Sequence, residues 1–167
     1  TLAVNNSQVD VANGVELTSD TIGLNDGSVL NIGEGGQVNT DHLTVNTFST
    51  VTLANDISSD WALDALYANT ITVTNGGVLD VQTSNTDAAN VFTTDTLELT
   101  SGNVKDNHGN VYAGVFDINS NDYILNADLV NDRTNDTSKA NYGYGVIAMN
   151  SDGHLTVNGN GDINNVD

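Results

Sequence analysis

Apolar and polar residues alternate along this chain in short blocks, and the blocks recur. IGLNDGSVLNI (residues 22–32) matches ITVTNGGVLDV (71–81) position for position, LTVNTFSTVTL (43–53) is a third copy, and a fading fourth begins at Leu97. Each copy sets two apolar residues one apart, then a polar Asn, Asp, Gly, Ser or Thr turn, then a second apolar pair. Side chains alternate between faces with period two along a strand. Ile71 and Val73 therefore share one face, Thr72 and Thr74 the other, and Leu79 and Val81 resume the inward positions after the bend. Asn75, Gly76 and Gly77 allow that bend, because Gly reaches positive φ without a Cβ clash and Asn tolerates it better than most residues. The unit predicted is strand, turn, strand.

The copies start at residues 22, 43, 71 and 97, so their spacings are 21, 28 and 26. Periods of this size mark a solenoid, in which one coil cannot bury its apolar face alone and must stack on its neighbours. An antiparallel sandwich also has short alternating strands with turns every ~8–12 residues. Its strands usually differ from one another, whereas here whole units recur in register. A propeller needs blades of about 40 residues or more, usually with aromatic markers, and these are absent.

The pattern divides the chain into three zones but shows no domain boundary, so residues 1–167 read as one β-solenoid segment. In residues 1–56 the apolar pairs Val9/Val11, Val15/Leu17, Ile22/Leu24, Leu30/Ile32, Leu43/Val45 and Val51/Leu53 arrive every few residues. Residues 57–69 (ISSDWALDALYAN) break the alternation. There Trp61, Leu63, Leu66 and Tyr67 are spaced like one face of a helical turn, which Asp60 could cap, and an insertion is predicted. The alternation resumes from Ile71 to about Val104. Residues 105–167 hold Tyr112, Phe116, Tyr123, Tyr142 and Tyr144 in more variable units, with a second predicted insertion at 130–145 carrying Arg133 and Lys139. The chain opens in mid-pattern at Leu2/Val4 and reads as a piece of a longer protein.

Charge removes several functional classes. The chain holds 3 Lys and Arg against 22 Asp and Glu, a formal net charge of −19. It has almost no cations with which to neutralise phosphates, which argues against nucleic acid and anionic membranes as partners. The hydrophobic fraction of 38% is low but patterned, which suits an elongated core better than a spherical one and argues against disorder. With no Cys there are neither disulfides nor thiolate metal sites, and with no Pro every backbone N–H stays available for pairing. No apolar run approaches the ~20 residues of a membrane helix, and TLAVNNSQVDV lacks the features of a signal peptide.

Candidate chemistry is sparse. His42, His108 and His154 sit beside Asp or Gly in turn-like contexts without a His or Cys partner at metal-ligand spacing. Ser and Thr are too abundant for any triad chosen from the sequence to carry information, and no Gly-x-Ser-x-Gly elbow is present. In DINSNDYILNAD (117–128), Asp117, Asn119, Asn121 and Asp128 fall at calcium-loop positions one, three, five and twelve. Position six is Asp122 where such a loop needs Gly, and Tyr123, Ile124 and Leu125 read as strand, so a polar turn is expected instead. Acidic clusters suggest a polysaccharide-cleaving groove, but only Lys105, Arg133 and Lys139 could hold an anionic sugar. No catalytic, cofactor-binding or metal residue is assigned.

The runs VLNIGEGGQVN (29–39), ANTITVTNGGVLDV (68–81) and DGHLTVNGNGDINN (152–165) resemble the passenger domains of Gram-negative autotransporters of the type V secretion system. The resemblance is one of repeat style and covers most of the chain. It implies an all-β, right-handed parallel β-helix with one or two corner insertions, displayed on the bacterial cell surface or secreted. The handedness also follows the general preference for right-handed parallel crossovers. The expected function is then a structural adhesin, meeting a host surface receptor or glycan, or another copy of itself, through its faces and corner loops. A polysaccharide-degrading enzyme on the same scaffold and a surface-layer or filament subunit are the alternatives.

Overall fold

A computed structural model of the chain describes residues 1–55, 66–83, 90–100, 112–119, 122–130, 145–149 and 153–159. Thirteen strands follow one another: β1 (Leu2–Asn5), β2 (Gln8–Val11), β3 (Glu16–Asn25), β4 (Val29–Ile32), β5 (Gln37–Val45), β6 (Thr50–Asn55), β7 (Leu66–Val73), β8 (Val78–Thr83), β9 (Asn90–Leu99), β10 (Val115–Asn119), β11 (Asp122–Val130), β12 (Val146–Met149) and β13 (His154–Val157). No helix occurs among the described residues. The odd strands form one seven-stranded sheet and the even strands one six-stranded sheet, each in chain order. The chain thus crosses between the sheets at every corner and returns one position further along.

Every pairing among these strands is parallel, which sets aside the antiparallel sandwich weighed above. The register stacks like on like, as the repeat requires. Leu2, Ile22, Leu43, Ile71, Leu97 and Leu129 form one inward column. Val4, Leu24, Val45, Val73 and Leu99 form the next. The even sheet supplies Val9, Leu30, Val51, Leu79, Phe116 and Ile147. In the middle of each column the side chains are fully buried, while Leu2, Val9 and Ile147 on the outermost strands are partly exposed. Each buried aliphatic removed from water contributes about 1.5–3 kcal/mol, and only stacking achieves that burial in so thin a core.

The odd strands hold a second inward pattern. In β5, Val38 and Thr40 are buried, Asp41 and His42 are both exposed, and Leu43 and Val45 are buried. Two consecutive outward residues break strict alternation. The same break falls at Asp20 and Asn69, where the pairing skips one residue on each strand, and at Asp95, where Thr94 and Asp95 stand against Ala127 alone and the register shifts by one. Small hydroxyl residues satisfy the backbone there. Ser19 Oγ donates to the Thr21 carbonyl at 3.0 Å, Thr40 Oγ1 to that of His42 at 3.1 Å, and Thr94 Oγ1 to that of Ala68 at 2.7 Å.

The predicted insertions are placed in part. Leu66, Tyr67, Ala68 and Asn69 begin β7, with Leu66 and Ala68 buried and Tyr67 exposed, so the 57–69 segment yields its last four residues to a strand. Residues 57–65, with Trp61, and 131–144, with Arg133 and Lys139, lie outside the described residues. Connections at 56–65, 100–114 and 131–145 are far longer than those at 12–15 and 33–36. Val15, paired with Leu17 in the sequence pattern, sits at a corner and is 48% exposed.

Candidate functional surface

Outward columns are mostly polar. On the even sheet, Asp10, Asn31, Thr52, Asp80 and Asp117 stack in register, followed by Ala148. Asn31 Nδ2 donates to Asp10 Oδ1 at 2.7 Å and Gln8 Nε2 donates at 2.8 Å, and these bonds hold the Asp10 carboxyl below its ordinary value. Asp117 is pushed the other way, first by partial burial and then by the Asp80 carboxylate on the neighbouring strand. The Tyr123 hydroxyl, buried in the core against Phe116, is also pushed up by desolvation.

The corner between each odd strand and the next even strand is the most regular part of the surface. Successive backbone bonds run from Val29 N to Ser7 O, Thr50 N to Ser28 O, Val78 N to Ser49 O, Val115 N to Gly77 O and Val146 N to Gly114 O. They define a corner column of Ser7, Ser28, Ser49, Gly77 and Gly114, exposed at Ser7 on the outermost turn and buried from Ser28 onward. Ser28 and Ser49 are completely buried. Ser28 Oγ donates to the Val4 carbonyl at 3.0 Å, and Ser49 Oγ accepts from the Ser28 amide at 3.1 Å. At Gly114 a Cβ would overlap the Val73 carbonyl, so this column admits only glycine there.

Just outside that column runs a chain of amides. Asn46 Nδ2 donates to Asn25 Oδ1 at 3.0 Å, and Asn75 Nδ2 donates to Asn46 Oδ1 at 2.6 Å. The turns themselves place two consecutive residues at positive φ, the signature of a type I′ turn. These pairs are Asp26 (57°) with Gly27 (73°), Thr47 (46°) with Phe48 (59°), and Asn75 (52°) with Gly76 (75°). Phe48 and Tyr112 meet edge to face with ring centroids 5.0 Å apart, and both are substantially exposed. Gly76 lies beneath the pair, and a Cβ there would stand 2.7 Å from the Phe48 ring and 3.1 Å from Tyr112 Cβ.

The residues singled out in the sequence scatter over this surface. His42 lies exposed on β5 beside Thr21 and Thr70, His154 opens β13, and His108 falls outside the described residues. Asp117 and Asp128 sit on β10 and β11, in different sheets, rather than in one loop. Among the described residues no group of three or more His, Cys, Asp or Glu gathers to hold a metal ion, and no helix is long and apolar enough to cross a membrane, which leaves β-barrels unaddressed. In the sequence, Phe48 reads as part of a polar turn. The available signal was an aromatic in the place where two sister turns carry Gly.

The chain is similar to the uncharacterized protein YaiT of Escherichia coli strain K12, with 66% identity over 167 residues, covering 99% of the chain and 17% of that protein. It is similar also to the uncharacterized protein YaiT of Salmonella typhimurium strain LT2, with 68% identity over 169 residues, covering 100% of the chain and 17% of that protein. The chain thus spans about a sixth of the length of the curated relatives it matches. No family model and no solved structure matches it.

Proposed function

We propose that the chain is a segment of a right-handed parallel β-helix of the autotransporter-passenger kind, acting as a structural adhesin at the bacterial cell surface or in secreted form. The observation that carries this reading is the in-register stack of unequal repeats. One buried frame of aliphatic columns continues while the connections outside it vary in length. Such a frame holds corner loops at fixed spacing along a stiff support, an arrangement suited to contact with another surface rather than to enclosing a small substrate. The acidic exterior keeps the support soluble.

Beads carrying the chain, applied to cultured epithelial monolayers, test this. Attachment above that of uncoated beads is expected, and removal of residues 130–145 should abolish it while leaving the far-ultraviolet circular dichroism unchanged. If the deletion leaves attachment intact, that loop is not the contact. If the parent chain does not attach at all, the adhesin reading fails, and release of reducing sugar from a polysaccharide panel would replace it with the enzyme reading. Calcium-dependent light scattering would instead favour the lattice subunit.

A further inference from the structure

The turn carrying Phe48 breaks the rule its neighbours obey. A turn with two consecutive positive φ angles favours Asn or Asp followed by Gly, because a side chain in that conformation crowds the backbone. The turns on either side comply, with Asp26-Gly27 and Asn75-Gly76. The turn between them carries Thr47, which is β-branched, at φ 46° and Phe48, an aromatic, at φ 59°. Local strain of this kind persists only where the surroundings impose it, and it concentrates at functional positions. Burial does not explain it, because Phe48 is 47% exposed.

What the strain achieves is display. The Phe48 ring lies over Gly76 and meets Tyr112 edge to face, and Tyr112 is itself 38% exposed. The amides of Asn46 and Asn75 belong to the same two turns, and the Asn75 carbonyl accepts the Phe48 amide at 3.2 Å. Ring faces set among amide and hydroxyl groups match the alternating C–H and O–H surfaces of a pyranose. The charge of the ligand follows from what the corner lacks. Residues 46–49, 74–77 and 112–114 carry no charged side chain, the adjoining turn, joined through the Gly27 amide to the Thr47 carbonyl, carries the carboxylate of Asp26 and no cation, and the chain's net charge of −19 repels anionic glycans.

We infer that the Phe48–Tyr112 corner is a subsite for a neutral glycan, with one ring as the stacking face, the other standing beside it at an interplanar angle of 74° as a wall, and the neighbouring amides as hydrogen-bonding partners. The inference rests on the attachment reading and names the ligand for one place on that surface. The decisive variant is Thr47→Asn/Phe48→Gly, which restores the residues favoured by the turn and removes the platform. Stability and binding should then move in opposite directions.

The experiment titrates the chain with maltohexaose, cellohexaose, chitohexaose and a sialylated oligosaccharide, following the Phe and Tyr ring signals by NMR, and melts each variant in parallel. The expected result is saturable binding of at least one neutral hexasaccharide and none of the sialylated one. In the double variant the melting temperature should rise and affinity should fall at least about tenfold. Phe48→Tyr should retain binding, and Gly76→Ala should weaken it by displacing the rings. The proposal is overturned if no neutral glycan binds, if only the sialylated one does, if the double variant binds as the parent does, or if it melts lower, which would make Phe48 a packing residue. Glycan binding by a chain that attaches to no cell supports the subsite and removes the adhesin reading.

Discussion

The two ends of the same pair of sheets solve the same corner differently. Around β1 to β6 the corner column is Ser7, Ser28 and Ser49, the corresponding residues lie 21 apart, and the buried core is aliphatic. Around β7 to β13 the column becomes Gly77 and Gly114, stacked partners lie from 26 residues apart (Thr72 and Glu98) to 37 (Leu79 and Phe116), and the core takes in Phe116 and Tyr123 edge to face. The outward column repeats the contrast, with Asp10 satisfied by Asn31 at one end and Asp117 set against Asp80 at the other. The frame is shared, and local chemistry adapts to the varying connections. At this corner the uniform repeats carry a hydroxyl ladder that bonds from strand to strand, whereas at Gly77 and Gly114 the backbone comes close enough that only glycine fits.

A shared frame predicts equal core costs. Leu43→Ala and Leu97→Ala, in one inward column but in the two different regions, should each lose about 3 kcal/mol in urea unfolding, because both leave a cavity among fully buried neighbours. A difference of more than about 1.5 kcal/mol between them would mean that the regions are not one frame. The corner should then separate what the core unites. Gly114→Ser is expected to lose about 2–3 kcal/mol, since its Cβ meets the Val73 carbonyl. Ser49→Gly should lose about 1–2 kcal/mol, from one backbone hydrogen bond and added chain entropy. Equal losses would remove the distinction between the two corners.

Smaller effects sharpen the contrast. Asn46→Ala breaks both links of the amide chain and should cost about 1–2 kcal/mol, whereas Asn25→Ala breaks one and should cost about half as much, as read by thermal melting. The two aspartates should respond to pH with opposite signs. Asp117 has a raised value in the fold, so its charged form is the less favoured one, and stability falls as pH rises from the ordinary carboxylate value through the raised one. Asp117→Asn should therefore stabilise at neutral pH by a few tenths of a kcal/mol, reduced by solvent screening, and the gain should vanish below about pH 4. Asp10 has a lowered value, so its contribution is present above the ordinary carboxylate value and lost as pH falls through the lower one. Stability curves of Asp10→Asn and Asp117→Asn that bend the same way with pH would contradict this assignment.

Much of the frame was legible because the inward positions of a strand depend only on period two. Leu24 over Val45 over Val73 follows directly from aligning the copies, and the structure places them so. Less legible was the two-residue outward break at Asp41 and His42, since the strand before it buries a threonine, Thr40, rather than a recognisable apolar residue. Leu66 and Tyr67 misled for a related reason. With Trp61 and Leu63 before them they mimic helical spacing, yet the start of β7 is set by pairing with Val38 and Asn39, contacts distant in sequence. The Phe48–Tyr112 corner stayed hidden because its partners lie 64 residues apart (112 − 48) and meet only through the stack. Repeat alignment could still have marked Phe48 as the aromatic standing where Gly27 and Gly76 stand.

The aliphatic columns continue through the irregular half, past a shift in the β9–β11 pairing between Asn126 and Asp128, so that corner displays ride on one frame. The chain has no cysteine, which makes introduced pairs unambiguous. Asp80→Cys/Asp117→Cys joins outward partners on adjacent parallel strands, about 5 Å apart and within disulfide reach. Thr44→Cys/Thr72→Cys does the same across the 28-residue repeat. Both pairs should oxidise to internal disulfides in the native state, and the offset pair Thr44→Cys/Thr70→Cys should remain largely reduced. Crosslinking of the offset pair in preference to the registered ones would contradict the account.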